Sequence, residues 1–158
     1  MKNTAVLYRA AIVLLTLFVA IACTSGEEDG GIYEGMDGKT KMKMIQYMRT
    51  GKQLYTQHCA NCHQPDGSGL GALYPPLAKS DYLMKDPKQV ACLIKNGQNG
   101  EITVNGVEYN QAMPPHKDLT NLEIAEIITF ISNTWENKSG LHNVKVIEQV
   151  LQDCPTEK

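Results

Sequence analysis

Cys59-Ala60-Asn61-Cys62-His63 sets two thiols three positions apart, with an imidazole directly after the second. On a helical turn, positions separated by three and four project to neighbouring parts of one face. Two thiols so placed can add to the two vinyl groups of a haem while the imidazole reaches the iron from the same side. A redox dithiol has no need of that histidine and would want a βαβ setting, which this chain lacks. A zinc site would want a second ligand pair, and neither Cys92 nor Cys154 supplies one at motif spacing. The spacing is that of covalent c-type haem attachment, one haem per chain.

A second axial ligand is then sought downstream, and Met113 in Asn110-Gln111-Ala112-Met113-Pro114-Pro115 is the leading candidate. The following prolines fix φ and exclude helix, so a thioether on that loop can approach the iron without the loop relaxing away. His116, His142, Met84 or an open position are the alternatives, and an isolated Met is ordinarily core filler. His58 lies next to the attachment pair but on a different helical face and reads as surface.

The elements that must carry these residues follow from periodicity. Lys41 to Cys59, with Met44, Met48 and Tyr55 at helical spacing, reads as a helix leading into the motif; its methionines suit packing better than copper, having no companion His or Cys cluster in that run. Gln64 to Gly71 is glycine-rich loop, and Pro75-Pro76 extends it. Asp86-Pro87 starts and Gly97 stops a short helix, Asp86 to Lys95. Glu101 to Asn110 alternates around Asn105-Gly106, a tight-turn signal for a small hairpin. Asn121 to Trp135 is the strongest helix, with Leu122, Ala125, Ile128 and Trp135 beside Ile124, Ile127 and Ile131 in one broad apolar stripe. A final helix within Leu141 to Leu151 would dock on the domain and could carry Cys154 toward Cys92 as a possible disulfide, separate thiols being the alternative. The macrocycle would be buried among Tyr55, Leu70, Leu77, Ile94 and Ile128.

The 158 residues allow one small domain, because part of the length is spent at the N-terminus. Lys2 and Arg9 precede an apolar run, Ala10 to Ala22, shorter than the ~20 residues a bilayer span needs, which suits a cleaved export signal over residues 1–22. Val19-Ala20-Ile21-Ala22-Cys23 resembles the lipobox of bacterial lipoproteins, with Ala20 where that pattern prefers Leu, and the resemblance implies lipidation at Cys23. Residues 23–42, rich in Gly, Glu and Asp, read as a flexible lipid-anchored tether. Of the 15 basic side chains, Lys2 and Arg9 fall in the signal, leaving 13 against 17 acidic. That mildly acidic balance argues against nucleic acid as a partner.

The segment from Met48 to Trp135 resembles a class I cytochrome c. Gly51, Tyr55, Cys59, Cys62 and His63 match the family's N-terminal helix, Leu119 to Trp135 its C-terminal helix, Pro75-Pro76-Leu77 its loop proline, and Met113-Pro114 its axial-methionine loop. The resemblance implies a mostly α fold, a small helical domain over 43–135 wrapped around one covalent haem, followed by a helical extension over 136–158. It implies that Gly51 lets the two helices cross near Ile128 and Phe130, and that the Pro75 carbonyl orients His63. A His63/Met113 iron has no vacant site, which describes a single-electron carrier rather than an enzyme, working on the periplasmic side with membrane-bound or soluble redox proteins of a respiratory chain. The rival readings are a ligand-binding haem module with an open iron, and a haem subunit of a larger oxidoreductase such as a nitrite reductase or oxidase.

Overall fold

An aspartate in the Gly-rich leader starts the first helix. The computed structural model describes residues 31–155, so the export signal and Cys23 lie outside the described residues. Asp37 caps helix α1, Gly38–His58, its Oδ1 accepting from the Lys39 and Thr40 amides at 3.0 and 3.1 Å and its Oδ2 from the Thr40 hydroxyl at 2.6 Å. The helix therefore starts within the stretch expected to be tether up to residue 42. An acidic residue in a polar leader is also the residue type that satisfies orphan helix amides. Met44, Tyr47, Leu54 and Tyr55 form its buried face.

The chain kinks at Cys59 (φ −121°) and makes one further turn, α2, Ala60–His63, before Gln64 (φ 63°) ends it. Gly67 and Gly69 hold the following loop: the Gly67 carbonyl accepts from the Leu77 and Ala78 amides at 2.8 and 2.9 Å, and the Gly69 amide donates to the His63 carbonyl at 3.0 Å. Then comes a helix that periodicity did not suggest, α3, Asp81–Lys85, capped by Ser80. At five residues it is too short to show a period. Helix α4, Val90–Asn96, starts four residues later than expected, because Asp86 and Pro87 make a preceding turn in which the Gln89 amide donates to the Asp86 carbonyl.

Strands β1, Ile102–Val104, and β2, Val107–Tyr109, pair antiparallel with Ile102 opposite Tyr109. Asn105 (φ 51°) and Gly106 (φ 79°) make the turn, both in the left-handed region that a two-residue hairpin of this hand requires. Asn105 and Asp81 exchange amide-to-side-chain bonds of 2.7 and 3.0 Å, tying the hairpin to α3.

Helix α5, Asn121–Ile131, opens on a Thr120/Glu123 capping box. It stops four residues short of Trp135, because the Ser132, Asn133 and Thr134 side chains donate to the Ile128, Thr129 and Phe130 carbonyls and compete with continued helix. Trp135 and Glu136 then adopt positive φ. Leu122 turns outward, 42 % exposed, and the buried stripe is Ile124, Ala125, Ile127, Ile128, Phe130 and Ile131. This face crosses α1 at Gly51, where a Cβ would fall on the Glu126 carbonyl and within 2.8 Å of Phe130 Cβ. Tyr55, Phe130 and Trp135 interlock beside the crossing with ring centroids 5.2–5.5 Å apart.

The last helix, α6, Val144–Gln152, packs on α5 and α4 and drives Ile147 completely into the core. Cys154 beyond it is bonded to Cys92 on α4, with Cα atoms 5.6 Å apart. The described residues are thus mostly helical with one small hairpin, the class the resemblance implied. No helix among them is long and apolar enough to cross a membrane.

Candidate functional site

Five of the residues singled out above meet at one cavity. Cys59 and Cys62 reach it from the α1–α2 junction, His63 from α2, Pro75 from the loop and Met113 from the strand-to-helix connection. The cavity encloses about 1000 Å³ of empty space, part of it continuous with solvent. Its remaining wall is almost wholly apolar, and no Asp, Glu, Lys or Arg among the described residues lines it.

The His63 Nδ1 lies 2.9 Å from the Pro75 carbonyl oxygen. A carbonyl can only accept, so Nδ1 carries the proton and donates, leaving Nε2 with its lone pair. Burial pushes His63 below the ordinary histidine value, against the opposing pull of that bond, which keeps the ring neutral. The turn behind it is pinned by the Tyr55 hydroxyl, which donates to the Gln64 carbonyl. Burial, with Cys62 adding to it, pushes the Cys59 thiol up to about 12.

Met113 sits on a loop held from α4. Its amide donates to the Gln98 carbonyl at 2.9 Å and its carbonyl accepts from the Gln98 amide at 3.0 Å. Gly97 (φ 82°) lies so near that a Cβ there would come 2.6 Å from the Met113 carbonyl oxygen. The His116 amide donates to the Ile94 carbonyl, anchoring the loop's far end.

The other ligand candidates do not line this cavity. His116 stacks edge-on with His58 at 5.9 Å, His142 is buried beside Ser139, and Met84 packs against the core. Among the residues expected to bury a macrocycle, Leu77 and Ile94 line the wall. Tyr55 is buried beside the helix crossing against Phe130, and Ile128 is buried in the core away from the cavity, Ile127 and Ile131 lining it in its place, while Leu70 is 51 % exposed. The hairpin is a wall that sequence reasoning missed: Ile102, Val104 and Tyr109 all line the cavity. Their alternation was a readable signal, but nothing local said what their shared face covers. Cys92 and Cys154 stand apart as the disulfide, and Cys23 lies outside the described residues.

Two thiols, a neutral imidazole and a thioether around a large apolar slot fit a covalently held haem. A sequence profile of the cytochrome c family matches residues 48–135. The chain is 34% identical over 99 residues to cytochrome c-552 of Thermus thermophilus, covering 60% of this chain and 75% of that one. It is 33% identical over 92 residues to the cytochrome c subunit of the quinone alcohol dehydrogenase of Gluconacetobacter polyoxogenes, covering 56% of this chain and 19% of that subunit. With the gluconate 2-dehydrogenase cytochrome c subunit of Pantoea cypripedii it shares 31% identity over 93 residues, 56% of this chain and 21% of that one. Against the dehydrogenase subunits the match therefore spans only about a fifth of their length.

Proposed function

The chain belongs to the cytochrome c family, an electron-transfer protein with covalently bound haem c, and from that premise we propose that Cys59 and Cys62 hold the haem and that His63 and Met113 are its axial ligands. The supporting observation is that all four side chains line one charge-free cavity. When bound, haem c supplies a reversible one-electron iron couple. The Pro75 carbonyl holds the His63 ring in a single tautomer and raises its donor strength. The Met113 thioether, a weaker donor, favours the reduced iron and raises the potential. The Gln98 bridge fixes the Met113 backbone at the cavity wall, which would keep the thioether within reach of a haem iron held by His63. The apolar walls exclude water.

The rest of the reading concerns where the carrier works. Residues 1–22 direct export, Cys23 carries lipid, and the polar leader up to Asp37 tethers a domain that runs to Trp135 with its helical extension to residue 158. The carrier is thereby confined at the periplasmic face of a membrane beside its redox partners in a respiratory chain, where effective concentration replaces tight binding. The Cys92–Cys154 disulfide supports an oxidising compartment.

The optical spectrum tests this. A c-type reduced spectrum, a weak far-red sulfur-to-iron band when oxidised and no shift with carbon monoxide are expected. A ready carbon monoxide shift would overturn Met113 ligation and bring forward a ligand-binding haem module. A second reading, a haem subunit fixed in a larger oxidoreductase, is favoured by the names of the dehydrogenase relatives. Stoichiometric co-purification with a catalytic subunit would support it over a free carrier.

A further inference from the structure

Beyond α5 the chain passes through Trp135 and Glu136, both at positive φ, and folds back over the loop that carries Pro75. Contacts with that loop follow in sequence. The Trp135 indole lies against Gly67, where a Cβ would come within 2.5 Å of the ring. Glu136 pairs with Lys79 at 2.6 Å, but both side chains are well exposed, so water weakens the pair. Asn137 is the buried member, 4 % exposed. Its Nδ2 donates to the Leu77 carbonyl and to the Ile131 carbonyl, each at 2.8 Å. Both protons of one amide are therefore used to join the end of α5 to the loop. Asn137 also lies past the segment 48–135 that the cytochrome c profile matches.

We propose that Asn137 is a positioning residue for the histidine ligand, setting through Leu77 and Pro75 how firmly the His63 ring is held and how strongly it donates. The proposal rests on the reading that His63 ligates haem iron, and adds a residue that acts through it. Leu77 is gripped at both ends: its amide donates to the Gly67 carbonyl at 2.8 Å and its carbonyl accepts from Asn137. Between Leu77 and Pro75 stands only Pro76, whose ring fixes φ, so a fixed Leu77 leaves the Pro75 carbonyl little freedom. That carbonyl is the acceptor 2.9 Å from His63 Nδ1. Gly69 closes its other side, since a Cβ there would lie 2.8 Å from the Pro75 oxygen. Without Asn137 the Leu77 carbonyl loses its donor, the loop drifts, and the bond from Nδ1 lengthens. The imidazole then becomes a poorer donor, which disfavours oxidised iron and raises the potential.

The test compares Asn137→Leu with Asn133→Leu in the holoprotein. Asn133 is also buried, its Nδ2 donating at 2.8 Å to the Thr129 and Gly140 carbonyls and its Oδ1 accepting from the Ser139 and Gly140 amides. None of these bonds reaches the Pro75 loop. Both variants should lose stability in denaturant titration. Asn137→Leu alone should raise the reduction potential and speed hydrogen exchange at His63 Nδ1 about tenfold or more, read by nuclear magnetic resonance of the reduced protein. Alanine at either position removes the same donor without needing the space of a leucine, and carries the test if a leucine variant does not fold. An unchanged potential and unchanged exchange in a destabilised Asn137 variant would make Asn137 a strut of the fold and overturn the proposal. So would equal shifts in the Asn133 variant. Absence of a haem-coupled His63 Nδ1 proton from the wild-type spectrum would sink the ligand reading itself. A wild-type resonance that the Asn137 variants leave untouched sinks only the role of Asn137.

Discussion

Gly97→Ala probes how firmly the Met113 loop is held. Gly97 has φ 82° and ψ −179°, backbone that is essentially glycine-only, so an alanine there costs about 1–3 kcal/mol in strain. The narrower unfolded ensemble of alanine offsets only ~0.4–1 kcal/mol of this penalty. The new methyl would also lie 2.6 Å from the Met113 carbonyl oxygen and 3.0 Å from the Pro115 nitrogen, both backbone atoms. Relieving that contact means moving the loop, at a further ~1–3 kcal/mol. Gly100 supplies the control. It too has positive φ (87°), but a Cβ there meets nothing within 4 Å, so Gly100→Ala carries the strain without the collision. Gly97→Ala should therefore be less stable than Gly100→Ala by ~1–3 kcal/mol in denaturant titration, and its Tm lower by roughly 3–10 °C. Its far-red sulfur-to-iron band should weaken while that of Gly100→Ala stays intact. Equal stability and equal far-red bands in the two variants would refute the idea that α4 positions Met113.

Met113→Ala should keep covalent haem but lower the potential and bind carbon monoxide; unchanged ligand reactivity would exclude Met113 as ligand. Gly51→Ala should destabilise by more than about 3 kcal/mol, read by chemical denaturation, because its methyl would meet the Glu126 carbonyl at the α1–α5 crossing, where rigid backbone gives no room for repacking. Cys92→Ser/Cys154→Ser opens a link between residues 62 apart in sequence and should cost about 4 kcal/mol on the unfolded-state entropy account, measured as a fall in the denaturation midpoint. Burial, helped by Lys88 and opposed by Asp86, pushes His142 down to about 4. The unfolded chain protonates it near 6.5, so between about pH 6.5 and about pH 4 the unfolded state binds more protons and stability drops as the pH is lowered, by at most about 3.4 kcal/mol, levelling off below. His142→Gln should flatten that slope in pH-dependent denaturation.

Legibility in the sequence followed the range of the interaction. The CxxCH segment could be read because its chemistry is set within five residues, and Met113 stood out because its prolines act on adjacent residues. The fold class was likewise visible in the α5 pattern. Helix phase was harder: α5 carries isoleucines at 124, 127, 128 and 131. With apolar residues over so broad an arc, periodicity cannot say that Ile127 and Ile131 line the cavity while Ile128 is buried away from it. Trp135 was counted in the helix because its spacing fits, but the polar triplet before it turns the chain and sends the indole to Tyr55 and Phe130. Asp37, Ser80 and the hairpin wall were missed for one reason. Each depends on what a short polar or alternating segment meets in space, and local composition does not record that.

The disulfide draws a line through the site. Its covalent loop, from Cys92 to Cys154, contains the hairpin, Met113 and α5, while Cys59, Cys62 and His63 lie outside it. The exposed Asn105-Gly106 tip is the kind of place where a protease cuts. A nick there, between the half of the cavity that holds the thiols and the half that holds the thioether, would still leave both pieces joined through sulfur. No fragment would diffuse away until a reductant arrived, so a clipped chain can re-close where an unbridged one would be lost to degradation.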